Sequence, residues 1–332
     1  MTDRPGERLW PSAILGRMAT LRDVRLSDAG VAAWGERLAG GIARGMQLDR
    51  GMLQVVICTL LAGGHLLLED RPGVGKTQLA RSLAASIDGR FARVQGTVDL
   101  LPSDVLGTTI WRSSTETFEF HPGPIFANVV LVDELNRATP KTQSGLLEAM
   151  AELQVTIEGK AHMLPRPFTV IATQNPTAGF DGTYALPPAE LDRFMTRLSL
   201  GYPSADAEAD LLHSPPPPAM PPVADLAEAS AAIATVAEVE ARRPLLEYIV
   251  ALLEATRRHP LSDAGASPRG GLMLLAAARA HAALDGRDYV VPDDVQALAG
   301  PVLAHRIQTV GGAAAEAQLA IVEDALEEVP AR

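Results

Sequence analysis

The stretch Glu69-Asp70-Arg71-Pro72-Gly73-Val74-Gly75-Lys76-Thr77 decides the fold. It follows His65-Leu66-Leu67-Leu68-Glu69, an apolar run too continuous for a strand with one solvated face, and it precedes a helical pattern over 76–88. A buried strand, a glycine-rich turn and a helix N-terminus in that order make a phosphate-binding loop. Backbone N–H groups wrap the phosphates, the helix dipole adds positive potential, and a lysine reaches the outer phosphates. The loop so defined is Asp70, Arg71, Pro72, Gly73, Val74, Gly75, Lys76, Thr77 and Gln78, with Lys76 as the phosphate lysine and Thr77 as a ligand for Mg²⁺. The strict pattern has glycine six residues before the lysine, where this chain has Asp70. Gly73 and Gly75 stand where the backbone must approach phosphate most closely.

Outward from the loop, further buried strands are expected at 91–95, 128–133 and 168–173, with a weaker one at 196–200. Helices are expected at 27–45, 50–62, 76–88 and 140–152. The alternation predicts a parallel α/β sheet covered on both faces. The strand Asn128-Val129-Val130-Leu131-Val132-Asp133-Glu134-Leu135 ends in two carboxylates. After a phosphate loop such a pair has a role: Asp133 can hold the Mg²⁺ shell, and Glu134 can orient and deprotonate an attacking water. The bland alternative is a solvated pair of strand-end acids. Two segments interrupt the α/β winding and read as β-hairpins, at 108–121 and 153–164. Trp111, Phe118 and Phe120 on the first either present apolar surface or pin their own hairpin, with pinning preferred.

Six prolines within 215–222 cannot continue a helix and read as a semi-rigid spacer. Residues 1–26 read as an irregular N-terminal extension, 27–213 as a nucleotide-binding core, 214–222 as the linker and 223–332 as an all-helical domain. Its helices are expected near 224–234, 244–257, 269–284, 292–304 and 313–328.

Composition narrows the function classes. The 332 residues carry 29 Lys+Arg against 40 Asp+Glu, a net charge of −11, with 4% aromatics. A protein built mainly to grip nucleic acid needs the opposite balance and more stacking surface. The excess is uneven: residues 1–202 hold 21 acids and 20 bases, whereas 203–332 hold 19 acids and 9 bases. The single cysteine, Cys58, lies in an apolar run and reads as a small buried hydrophobe of a cytoplasmic protein. The stretch 52–68 is too interrupted and too short to span a bilayer. The seven histidines never fall at metal-ligand spacing, so the only metal expected is Mg²⁺ with ATP.

Several longer motifs carry a family resemblance. These are residues 97–107, Gly123 to Met150, Val170-Ile171-Ala172-Thr173-Gln174-Asn175-Pro176, Gly182 to Phe194 with Leu191-Asp192-Arg193-Phe194, Gly265-Ala266-Ser267-Pro268-Arg269, and 289–295. Together they resemble the MoxR family of AAA+ ATPases, in the helix-2-insert branch related to magnesium chelatase ATPase subunits. The resemblance spans roughly residues 46–330. It implies a P-loop AAA+ core with β-hairpin insertions and a C-terminal helical lid. It further implies that Asn175 is sensor 1, Arg193 the arginine finger reaching a neighbouring subunit's γ-phosphate, and Arg269 sensor 2, in cis or in trans. Asp70 is tolerated in that family, whereas Arg71 replaces a usually apolar residue. Also implied are a homo-oligomeric ring, six-membered by family expectation, hairpins near the central pore, protein clients including metalloenzymes, and a separate partner with a von Willebrand factor A domain. Two other readings compete: a nucleic-acid-dependent AAA+ motor, disfavoured by charge, and a non-hydrolysing nucleotide switch, which has no need of Glu134 and Arg193.

Overall fold

The computed structural model describes residues 25–71, 73–174, 184–202, 205–213, 220–312 and 315–331. The chain enters through α1 (Asp28–Gly45), capped by the Ser27 hydroxyl accepting from the Gly30 N–H, with Asp28 in the first turn and Arg44 in the last. Val31, Trp34, Leu38 and Ile42 form its fully buried stripe. Helix α2 (Arg50–Leu61), capped by Asp49, is buried at every position from Val55 to Leu61, because protein covers it on all sides.

The central sheet contains β1 (Leu66–Glu69), β2 (Phe91–Gln95), then, after the hairpin strands β3 (Gly107–Arg112) and β4 (Thr117–Pro122), β5 (Val129–Asp133). A second hairpin, β6 (Gln154–Ile157) and β7 (Lys160–Met163), precedes β8 (Thr169–Gln174) and β9 (Thr196–Leu198). The five core strands run parallel in the order β2-β5-β8-β1-β9. Parallel strands paired this way need crossover helices, which here are α3 (Lys76–Ser86) and α5 (Pro140–Glu152); the short α4 (Pro102–Leu106) leads into the first hairpin.

Alternate strand residues feed two separate cores. Leu66, Leu68, Val129, Leu131 and Ile171 face one, whereas Leu67, Val130, Val132, Val170 and Ala172 face the other. The first core continues through α1 and α2 into the C-terminal helices α8 (Leu226–Val236), α9 (Arg243–Arg258), α10 (Pro268–Leu284), α11 (Pro292–Leu303) and α12 (Ala315–Glu328). The preceding α6 (Pro188–Leu191) and α7 (Ala205–His213) complete the helices among the described residues. No described helix is long and apolar enough to cross a membrane.

The structure departs from the sequence expectations mainly at element ends. The strand expected over 196–200 stops at Leu198, because the N–H groups of Leu200 and Gly201 turn to the Asp70 carboxylate. Helix α3 ends at Ser86, two residues early, and Asp88 beyond it takes a left-handed conformation. The ribbon of β10 (Ser262–Ala264) with β11 (Gln308–Thr309), and helices α4, α6 and α7, were not foreseen. Residues 1–24 and 214–219, assigned above to the extension and the linker, lie outside the described residues. The aromatic residues of the first hairpin divide in role. Phe120 stacks on His162 with ring centroids 3.9 Å apart and packs edge-on against Phe126, pinning the hairpin. Trp111 and Phe118 pair across the strands yet remain 48% and 67% exposed.

One polar knot holds the helical domain together. The fully buried Asp294 carboxylate accepts from Arg287 at 2.6 and 2.8 Å, from the Val291 N–H at 2.8 Å, and lies 2.7 Å from His281 Nδ1. Asp285 is nearby, but the guanidinium already supplies the cation that this acid and histidine cluster would seek. Burial alone would raise the Asp294 pKa; hydrogen bonds from Arg287, His281 and Val291 outweigh it and hold the group at about 2, below its ordinary 3.8. A carboxyl with a depressed folded-state pKa contributes stability above its unfolded value and loses it as pH falls through the folded one. Denaturant titrations should therefore show this contribution intact at pH 5 and vanishing between about pH 4 and 2. Asp294→Asn, which leaves Arg287 without its counter-charge, should cost about 3 kcal/mol at pH 7.

Candidate active site

Strand β1, paired between β8 and β9, delivers the chain to the phosphate loop. Gly73 and Gly75 both have φ of +92°, a conformation that side chains rarely adopt. Gly75 is the N-cap of α3, so the free N–H groups of the first helical turn open onto the loop. A cavity of about 440 Å³ lies there, lined by Asp70, Gly73, Gly75, Lys76, Thr77, Gln78, Arg93, Asp133, Glu134 and Thr173. Lys76 Nζ donates to the Asp70 carbonyl at 2.6 Å. Partial burial lowers the Lys76 pKa, and the charges of Asp70, Asp133 and Glu134 oppose that shift.

Asp70, the departure from the strict loop pattern, is buried, and its carboxylate is committed elsewhere. It accepts from Ser199 Oγ at 2.7 Å, from the Leu200 N–H at 2.7 Å and from the Gly201 N–H at 3.2 Å. The carboxylate fastens the root of the loop to the segment after β9. Arg71 is exposed and does not line the cavity, and the Val74 side chain is buried in the first core. Pro72 lies outside the described residues.

The two strand-end acids are held by different partners. Asp133 Oδ1 accepts from Thr173 Oγ at 2.7 Å, and the same hydroxyl oxygen accepts the Glu134 N–H at 2.8 Å. Asp133 Oδ2 accepts from Arg93 at 2.7 Å. Glu134 sits in the left-handed region at φ +53° and ψ +50°, which costs about 1 kcal/mol for a residue with a Cβ. Its carboxylate accepts from Arg137 at 2.8 Å and from Gln95 at 3.2 Å. Gly96 donates its N–H to the Asp133 carbonyl at 2.6 Å, and a Cβ at that position would collide with the Glu134 carbonyl. The sharp turn that aims Glu134 into the cavity therefore depends on Thr173 on one side and Gly96 on the other.

Arg93, Gln95 and Thr173 escaped the sequence reading. For Arg93 and Gln95 a signal was present, since Phe91-Ala92-Arg93-Val94-Gln95 alternates polar residues in a strand that should otherwise be apolar; the structure puts Gln95 in register with Asp133. Asn175 follows directly on β8 but lies outside the described residues.

Arg193 and Arg269 do not line the cavity. Arg193 is half-buried after α6, and among the described residues it forms no ion pair. The carboxylate of neighbouring Asp192 is taken by Arg306 at 2.8 Å and by Ser267 Oγ at 3.1 and 3.2 Å. Arg269 is exposed at the N-terminus of α10, whose cap is that same Ser267.

A phosphate loop after the interior strand β1 of a parallel sheet ordered β2-β5-β8-β1-β9, facing paired acids and followed by a helical lid, defines a P-loop ATPase of the AAA type. Residues 65–196 match the ATPase family associated with various cellular activities (AAA), and residues 254–329 match the AAA lid domain. The chain is 39% identical to the Chaperone MoxR1 of Mycobacterium tuberculosis over 77% of its own length and 71% of that protein. It is 31% identical to the Protein MoxR of Methylorubrum extorquens over 86% and 92% of the two chains. Similarity to the uncharacterized protein YeaC of Bacillus subtilis reaches 48% over 80% and 84%. A crystal structure assigned as an ATPase from Cytophaga hutchinsonii superposes with a TM-score of 0.83 at 32% identity, covering 96% of this chain and 99% of that one. The chain belongs to the MoxR family of AAA+ ATPases.

Thr173→Val removes the hydroxyl shared by Asp133 and Glu134 while preserving shape. Hydrogen bonds to charged groups are worth enough that steady-state hydrolysis should fall roughly 10- to 100-fold, with nucleotide affinity in a fluorescence titration nearly unchanged.

Proposed function

We propose that this chain hydrolyses ATP to ADP and phosphate as a subunit of a homo-oligomeric ring, hexameric by family expectation, in the cytoplasm. We propose further that the ring uses the energy to remodel or activate protein clients, metalloenzymes among them, together with a separate protein carrying a von Willebrand factor A domain. The observation that carries the reading is the cavity lined by Lys76, Thr77, Asp133 and Glu134, with Thr173 bridging the two acids.

In this reading the loop glycines and the start of α3 cradle the phosphates, and Lys76 exchanges the Asp70 carbonyl for a phosphate oxygen. Thr77 and Asp133, with the hard oxygen donors that suit Mg²⁺, would hold the ion. When bound, the ion neutralises charge on those phosphates. Glu134 accepts a proton from the water that attacks the γ-phosphorus; the bond to the bridging oxygen breaks and ADP leaves. Asn175 positions that water. Arg193 reaches the γ-phosphate of the neighbouring subunit and stabilises the charge that develops in the transition state. Arg137, whose guanidinium donates to Glu134 at 2.8 Å, holds the carboxylate in position to accept the proton.

Glu134→Gln should keep ATP affinity and lower turnover about 10²-fold or more, trapping an ATP-loaded ring. Arg193→Ala should lose about 10³-fold in turnover with affinity kept. In rings mixed with Lys76→Ala subunits, part of the lost Arg193→Ala activity should return. Undiminished hydrolysis by Glu134→Gln removes it as the base, and no rescue at any mixing ratio removes the shared site. Pull-down with the Glu134→Gln trap in ATP identifies the client.

A further inference from the structure

Arg306 is a lid residue whose side chain is 1% exposed, and it spends its charge on the core. Its Nε donates to Asp192 Oδ1 at 2.8 Å. Its two terminal nitrogens donate to the main-chain carbonyls of Asp192 at 3.2 Å, of Met195 at 3.2 Å and of Phe194, and also to Val302 within the lid. One guanidinium thus grips the backbone immediately before and after Arg193. The Asp192 carboxylate holds Arg306 and also accepts the Ser267 hydroxyl, and Ser267 caps the helix that presents Arg269 at its second residue. Gly270 lets the two elements meet, since a Cβ there would lie 2.8 Å from Arg306 Cδ. A desolvated guanidinium is too costly to leave unpaired, so this joint is either made or broken and has no intermediate setting.

We propose that Arg306, with Asp192 and Ser267, is a positioning residue that locks Arg193 and Arg269 to one lid–core joint, so that a subunit offers Arg193 to its neighbour only while its own lid is seated. The proposal rests on the trans role of Arg193. Its consequence is directional: the lid of one subunit governs hydrolysis in the next, not in its own site.

The test uses the full-length protein in assembled rings, with Asp192→Asn and Arg306→Lys as the variants and Arg193→Ala as the reference. Arg306→Lys keeps the charge but replaces the fork with a single head that cannot hold the carboxylate and three carbonyls together. Each variant alone should lower kcat at least about tenfold, with ATP affinity, read by a fluorescent nucleotide, left within about threefold. Mixed in equal parts with Lys76→Ala subunits, which have a dead site but a seated Arg193, each should recover to about a quarter of the wild-type rate. Half the subunits are then competent, and half of those have a Lys76→Ala neighbour on the donating side.

The proposal is overturned if both variants turn over at the wild-type rate. It is equally overturned if Arg193→Ala is rescued by Lys76→Ala subunits and neither variant is, because the joint then serves only folding or its own site. An Arg193→Ala ring with wild-type turnover instead overturns the trans-arginine reading, and this proposal with it. Should one variant fail to assemble, the other decides between these outcomes alone.

Discussion

Strand β8 is hydrogen-bonded on both sides, to β5 and to β1, and the geometry of the site hangs from that double pairing. The loop grows from the end of β1 and the acids from the end of β5, so the distance between phosphate loop and acids is fixed by one intervening strand. Thr173 near the end of that strand then uses its one hydroxyl on both acids. His65 reinforces the same strand from below. Its Nδ1 accepts the Val170 N–H and its Nε2 contacts the Met150 carbonyl, and burial lowers its pKa to about 4, so the ring is neutral and able to do both.

The parts of this architecture that were readable in the sequence are those set by chain-local chemistry. Continuous apolar runs marked β1, β5 and β8 almost to the residue, because a strand buried on both faces has no other way to be written, whereas β2 matched its expected bounds although its residues alternate and stay partly exposed. The convergence of the loop, Lys76, Thr77, Asp133 and Glu134 on one cavity was expected on similar grounds, since a phosphate-binding loop is written as particular residues in a fixed order. Illegible were the pairings made across the sheet. Nothing next to Arg93 in the chain points to Asp133, forty residues away, and nothing near Arg306 points to Asp192. Asp70 stood out only as a misfit, since the donors that explain it come from 199–201. Short elements such as α4 and α6 were missed because a four- or five-residue helix has no periodicity to detect.

The sequence also suggested a cleaner partition between core and lid than the packing provides. Helices α1 and α2, read as part of the core, bury Trp34, Leu38 and Ile42 in the same apolar cluster as Leu274, Leu298 and Val302 of the lid. The polar joint at Arg306 lies beside this apolar one. Apolar contact tolerates small sliding, whereas a buried guanidinium with fixed acceptors does not, so the polar contacts set the register of the lid and the apolar ones its adhesion.

Asp70 shows how far a motif can differ from the requirement it summarises. Glycine at that position would complete the consensus loop, yet it would strip the acceptor from a serine hydroxyl and two main-chain N–H groups after β9, one of them on buried Leu200. A chain made to look more like the average phosphate loop would hold its own loop less well.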